Sequence, residues 1–399
     1  MLIKKIELIN VLSDTLDYLE SNLPNGPSNH SKRTTLIALK LAKVLKLDAS
    51  EISSLCIYAL IHDCATSNEE FHYLEKFGRD ELEKSKIHCT LIESITPHSI
   101  VRCNDVNIIL YHHENWDGSG LFGKKGIEIP LLSQIIKLAS DIEILYRANK
   151  NSTEIFNLIN IKCNYYYSQK LVDTFNVVQR EPLFYKLLKK SFIDIELKSI
   201  VGNRTIDINS SALIELTIIF KAILNTKSPF TNEHSTRVSK LAAIMAEYYN
   251  FDEERTENFV FAAIIHDVGK LLVPNSILNK KGPLTKDEIF IIHKHPIHTQ
   301  RLLNKIYGLE EICNWASQHH EKLNGSGYPY GLKESELCFE SQLLTVLDIY
   351  EALSADRPYR PALSYEKLSI IMQDMVNKGE LNEDMVNDAL MLLRLKKNA

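Results

Sequence analysis

At 399 residues and 45.7 kDa the chain is too long for one compact core, which excludes a single small module and sets an expectation of two domains. Hydrophobic residues make up 45% and charged residues 24%, with only 14 glycines and 12 prolines, so disordered and fibrous classes drop away. The 46 basic residues against 51 acidic ones leave a net charge of −5, which offers no general attraction to nucleic acid or anionic membrane; an anionic ligand needs a local site.

In chain order, the N-terminus lacks a long apolar segment followed by a small-residue cleavage site, and apolar runs elsewhere are short and broken by charges. The expectation is a cytoplasmic protein with neither a nucleic-acid nor a membrane partner. Residues 34–47 carry apolar side chains at three- and four-residue steps, the pattern of an amphipathic helix. Residues 55–61 are apolar on all sides, which fits a buried helix or a buried strand; the Ala content and the helical flanks favour helix, and His62-Asp63 follow at its end. The region around Gly202 reads as a joint, giving a first domain over residues 1–205 and a second over 210–399. Residues 237–249 then repeat the amphipathic pattern, and residues 259–265 repeat the wholly apolar run before His266-Asp267. No sustained alternation signals a sheet, so the expected fold class is all-α, two helical bundles in tandem. Seven cysteines are scattered without close pairs and suggest neither a disulfide framework nor a thiolate zinc site.

Histidine spacing reveals an internal repeat. His30 precedes His62 by 32 residues, as His234 precedes His266; His88 precedes His112 by 24, as His295 precedes His319. From His113 to Asp141, and from His320 to Asp348, the distance is 28. Ten of the 14 histidines occupy these repeated positions, whereas His72, His98, His293 and His298 fall outside the repeat and read as ordinary surface or core residues. A His-Asp pair at the end of an apolar helix is costly to bury without a compensating charge, which a metal supplies. The second copy offers His234, His266, Asp267, His295, His319, His320 and Asp348, too many donors for one tetrahedral ion. Five imidazoles and two carboxylates suit two six-coordinate first-row metals, with iron or manganese preferred over zinc because no thiolate is at hand. Such a cluster would attract a phosphodiester and activate water for in-line attack.

These residues resemble the HD-GYP family, a branch of the HD metal-dependent phosphohydrolases. The likeness rests on His-Ser-Thr-Arg-Val (234–238), His-Asp-Val-Gly-Lys (266–270), Lys-His-Pro (294–296), the run 319–329 ending Gly-Ser-Gly-Tyr-Pro, and the run 347–360 containing Asp-Arg-Pro-Tyr-Arg. It implies an all-helical domain with a di-metal centre that hydrolyses a cyclic dinucleotide, cyclic di-GMP or 3′3′-cyclic GMP-AMP, to a linear dinucleotide. It assigns Asp267 and Lys270 to catalysis, and Arg237, Gly325, Gly327, Tyr328, Pro329, Arg357 and Arg360 to substrate binding. A third metal in one member type uses a glutamate four residues before the first histidine; Phe230 stands there, so two ions are expected.

The first copy keeps a possible second ligand set, His30, His62, Asp63, His88, His112, His113 and Asp141, but has Thr66 in place of Lys270 and Gly-Leu-Phe (120–122) in place of Gly-Tyr-Pro. It is similar to a degenerate HD-GYP domain, one that regulates, dimerises or senses, and a homodimer is compatible with it. Two rival readings are a cyclic dinucleotide sensor without turnover and an HD phosphohydrolase of ordinary nucleotides.

Overall fold

The computed structural model describes residues 2–20, 29–64, 79–96, 106–202, 205–207, 210–227, 229–280, 282–356 and 361–397. The chain divides into two compact units, Met1–Glu215 and Leu216–Ala399, with the division inside helix Ser210–Lys227. Helices dominate both. The described β-structure in named strands is one antiparallel pair, Leu2–Lys4 with Thr205–Asp207, which ties the two ends of the first unit together. No helix among the described residues is long and apolar enough to cross a membrane.

In the first unit, helix His30–Leu45 packs against Ala49–Ile61 and Leu131–Arg147. Asp48 caps Ala49–Ile61 through a reciprocal box with Glu51, and Leu55 to Ile61 are all buried. A segment buried on every side needs no amphipathic stripe, and each large aliphatic removed from water contributes about 1.5–3 kcal/mol. The second unit repeats the arrangement: helix Pro229–Tyr248 packs against Glu253–Ile265 and Phe339–Ser354, and Asp252 caps Glu253–Ile265 by accepting from the Arg255 amide. In both units the apolar helix delivers its His-Asp pair at its C-terminal end, where the backbone turns.

Candidate metal centre

In the second unit the His-Asp turn is held by close backbone packing. A Cβ on Gly269 would lie 2.0 Å from the His295 carbonyl oxygen, so only glycine lets helix His295–Leu303 seat against the turn. Thr299 fastens the two: its Oγ1 accepts from the Gly269 amide at 3.0 Å and donates to the His266 carbonyl at 2.9 Å.

Around this turn the imidazoles converge. Asp267 Oδ2 lies 3.3 Å from His266 Nε2 and 3.8 Å from His234 Nε2. Its other oxygen, Oδ1, lies 3.2 Å from His295 Nε2 and 3.8 Å from His319 Nε2. One carboxylate therefore faces two histidine pairs, as a bridging ligand would. Asp348 completes the first side, 2.9 Å from His234 Nε2, and its Oδ2 is 3.7 Å from His320 Nδ1. Donor atoms of His234, His266 and Asp348, of His266, Asp267 and His319, and of His295, His319 and His320 lie close enough to hold ions.

The outward nitrogens are committed. Nδ1 of His266, His295 and His319 donates to the carbonyls of Ala263, Ile292 and Ala316 at 2.7, 2.8 and 2.8 Å, fixing each ring with Nε2 inward. His234 Nδ1 donates instead to Glu351, a buried carboxylate that also accepts from Arg237 Nε. Sequence reasoning missed Glu351, although it stands three residues after Asp348, on the same helical face.

Burial pushes His320 down to about 3, and lowers His295 and His319. Burial also works against charge on the carboxyls, but Lys270 and His266 hold Asp267 well below its usual range, and His234 does the same for Asp348. On His234, bonds to Asp348 and Glu351 overcome burial and raise the ring to about 9. Ionised carboxylates and neutral imidazoles are the forms that bind metal, and an ion would displace the proton from His234. His266 Nε2 and Asp267 Oδ1 are buried and make no hydrogen bond, so the donor set fits a cation.

Lys270 Nζ donates to Asp267 Oδ2 at 2.6 Å and keeps part of its side chain in solvent. Tyr328 stacks on His293 with centroids 3.9 Å apart and planes 9° from parallel, and its ring lies 4.7 Å from that of His320. His293 thus belongs beside the centre, though its position off the repeat had given it no role. Gly327 and Gly325 act through backbone shape. A Cβ on Gly327 would sit 2.5 Å from Glu321 Cα, and Gly325 takes a left-handed φ of 77°. Pro329 follows in the same loop, which Glu321 anchors by accepting from the amides of Tyr330 and Leu332 at 2.7 and 2.9 Å. Arg357, Arg360 and Thr66 lie outside the described residues.

The first unit builds the same cluster with one member moved. Asp63 Oδ2 lies 3.3 Å from His30 Nε2 and 3.2 Å from His62 Nε2; Oδ1 lies 3.2 Å from His88 Nε2 and 3.8 Å from His112 Nε2. His30 Nδ1 pairs with buried Glu143, which also takes Arg33, mirroring Glu351 and Arg237. Asp141 does not join them: it is partly exposed, and its Oδ2 accepts from the Tyr167 hydroxyl at 2.6 Å and lies 3.5 Å from Lys137. The equal spacing of 28 misaligns this helix by one residue. Glu114 accepts from the amides of Phe122 and Lys124, as Glu321 does from Tyr330 and Leu332, so Phe122 matches Tyr330, and Leu121 alone spans the place of Tyr328-Pro329. From there the register runs Ser133-Gln134 with Ser341-Gln342, Ser140 with Asp348, and Glu143 with Glu351. One residue rotates a helical position by about 100°, which carries Asp141 off the face and leaves buried Ser140 in its stead.

Residues 28–145 and 219–382 each match the HD domain. The chain belongs to the HD-domain family and carries two HD domains in tandem. It is 24% identical to 3′3′-cGAMP-specific phosphodiesterase 1 of Vibrio cholerae serotype O1 over 90% of this chain and 85% of that protein. With 3′3′-cGAMP-specific phosphodiesterase 3 of the same organism it shares 31% identity over 65% of this chain, spanning 57% of that relative's length. A cyclic di-GMP phosphodiesterase of Thermotoga maritima is 34% identical over 37% of this chain and 41% of its own. The crystal structure of a V. cholerae cyclic GMP-AMP specific phosphodiesterase superposes with a TM-score of 0.64 at 23% identity, covering 99% of each chain, which bears out the helical fold.

Proposed function

We propose that the second domain hydrolyses a cyclic dinucleotide, 3′3′-cyclic GMP-AMP or cyclic di-GMP, to a linear dinucleotide. The observation that carries this reading is Asp267, whose two oxygens face His234 and His266 on one side and His295 and His319 on the other, with Lys270 on its rim. We assign the donor set His234, His266, Asp267, His295, His319, His320 and Asp348 to two divalent first-row ions, iron or manganese, since no cysteine stands among these donors. Bound there, such ions supply Lewis acidity toward the phosphate and a hydroxide equivalent at neutral pH.

The chain's own groups do the rest. Lys270 meets the anionic phosphate and offsets charge that grows in the transition state. Water adds across one P–O ester bond: phosphorus gains the hydroxyl and the released sugar oxygen takes a proton, which opens the ring. Tyr328, braced by His293, forms an aromatic wall beside His320 suited to the face of a nucleobase. Arg237 is engaged with Glu351 and Glu233 and steadies His234 through Glu351; with two-fifths of its side chain in solvent it is also open to a phosphate. The relatives' stated substrates support the choice of cyclic dinucleotide. The first domain, short of a carboxylate and of the Tyr-Pro loop, we assign a regulatory rather than a catalytic role.

The test is a side-by-side cleavage assay of the reduced protein, loaded with manganese or iron, on 3′3′-cyclic GMP-AMP, cyclic di-GMP, cyclic di-AMP and mononucleotides. Linear product from either of the first two is expected. Cleavage of mononucleotides alone would replace this reading with that of an ordinary nucleotide hydrolase, and binding without product would replace it with that of a sensor.

A further inference from the structure

We propose that the first domain is a mononuclear metal site, holding one divalent cation on Asp63, His88, His112 and His113, and that the exchange of an aspartate for Ser140 is what removes the second ion. The donor atoms of those four residues lie within 4.8 Å of one another, the largest such group among the described residues. His88 and His112 are buried, and Asp63 and His113 are partly exposed. Neither ring nitrogen of His88 makes a hydrogen bond, nor does Nε2 of His112, and the two residues are 5% and 0% exposed. Buried polar atoms in native proteins have partners, and the orphaned Nε2 atoms of His88 and His112, 3.2 and 3.8 Å from Asp63 Oδ1, lack only a cation. His112 Nδ1 is bonded outward to the Ile109 carbonyl at 2.5 Å, so its free Nε2 is the one aimed at Asp63.

The other half of the cluster is built differently in the two domains. Around His234 and His266, two carboxylates are present, Asp267 and Asp348. On the inward, Nε2 side of His30 and His62 the one carboxylate among the described residues is Asp63, because the helix register that matches Glu143 to Glu351 sets Ser140 in the position of Asp348. Two divalent ions bring four positive charges. With two aspartates they keep a net excess of two, but with Asp63 alone the excess is three, in a buried site where repulsion between the ions is weakly screened. A serine hydroxyl is neutral and offsets none of it. The four-donor side fills with one ion, and the three-donor side, His30, His62 and Asp63, stays without one.

The experiment uses the full chain carrying Asp267→Ala, His319→Ala and Asp348→Ala, which breaks every donor group of the second domain's centre, loaded with MnCl2 and dialysed. Metal content by mass spectrometry is expected to be one manganese per chain, with the six-line electron paramagnetic resonance spectrum of an isolated ion. Adding Asp141→Ala should leave the count at one, since that carboxylate belongs to Tyr167. Adding His88→Gln should lower it toward zero, with far-UV circular dichroism as the check on folding. Adding Ser140→Asp should raise it to two and give an exchange-coupled spectrum, a gain that an unfolded variant does not produce. No manganese in the starting background, two manganese ions without Ser140→Asp, or a folded Ser140→Asp variant that still holds one would each overturn the proposal.

Discussion

The two domains place ten imidazoles in two near-copies of one cage, and the cages themselves differ by one carboxylate. Both put an aspartate between two histidine pairs, at 3.2–3.8 Å, and both hold the first histidine with a buried glutamate that is itself held by an arginine. The second adds Asp348, the Lys270 contact and the longer loop that carries Tyr328. The scaffold survives the loss of substrate-handling groups in part because His62, His112, His266, His295 and His319 are held by backbone carbonyls, which no side-chain substitution removes.

The contrast is most exposed at the bridging carboxylates. Asp267→Ala should lower cyclic dinucleotide turnover on the order of 10³-fold or more, beyond what removing one transition-state donor costs, whereas Asp63→Ala should change it by less than about tenfold, because Asp63 belongs to the cage assigned a regulatory role. Equal losses in a steady-state assay would erase the distinction between the domains. Next in size is Lys270→Ala, with an expected fall in kcat of about 10²-fold and little change in metal content, since a phosphate-facing cation acts on the transition state.

Glu351→Gln keeps the shape but weakens the hold on His234, and should cost about 10- to 100-fold in manganese affinity, read by titration calorimetry. Glu143→Gln should leave turnover unaltered; a matching loss there would mean that the first domain's cage feeds the second's activity. The smallest effect is expected at the loop. Tyr328→Leu removes a stack worth about 0.5–1.5 kcal/mol, so KM should rise two- to tenfold at nearly constant kcat, and a fall in kcat alone would place Tyr328 in the chemical step.

Much of this was legible beforehand. The all-helical class followed from apolar periodicity and the absence of alternation, and the histidines and aspartates that converge in the second domain were marked by the 32-, 24- and 28-residue spacings. Residues 55–61 were ambiguous by pattern, and burial on all sides of a capped helix settled them. His293 had no signal in one dimension, because its role is a ring stacked under a tyrosine 35 positions away in the chain. Glu351 sat in plain view within the run 347–360, but a carboxylate that positions a histidine, like Glu351 or Glu143, looks in sequence like any helix-surface acid.

What the sequence determined by itself was the inventory: two copies, their helices, and which imidazoles recur at which intervals, because helical periodicity and repeat spacing are properties of the chain. What only the tertiary structure decided was which side chains share a face. Asp141 satisfied the spacing and failed the geometry, since one residue fewer in the loop before helix Leu131–Arg147 rotates that helix by about 100° relative to the count. A metal site is selected by the convergence of donor atoms within a few ångströms, and counting along the chain cannot register a turn that a deletion elsewhere has taken up.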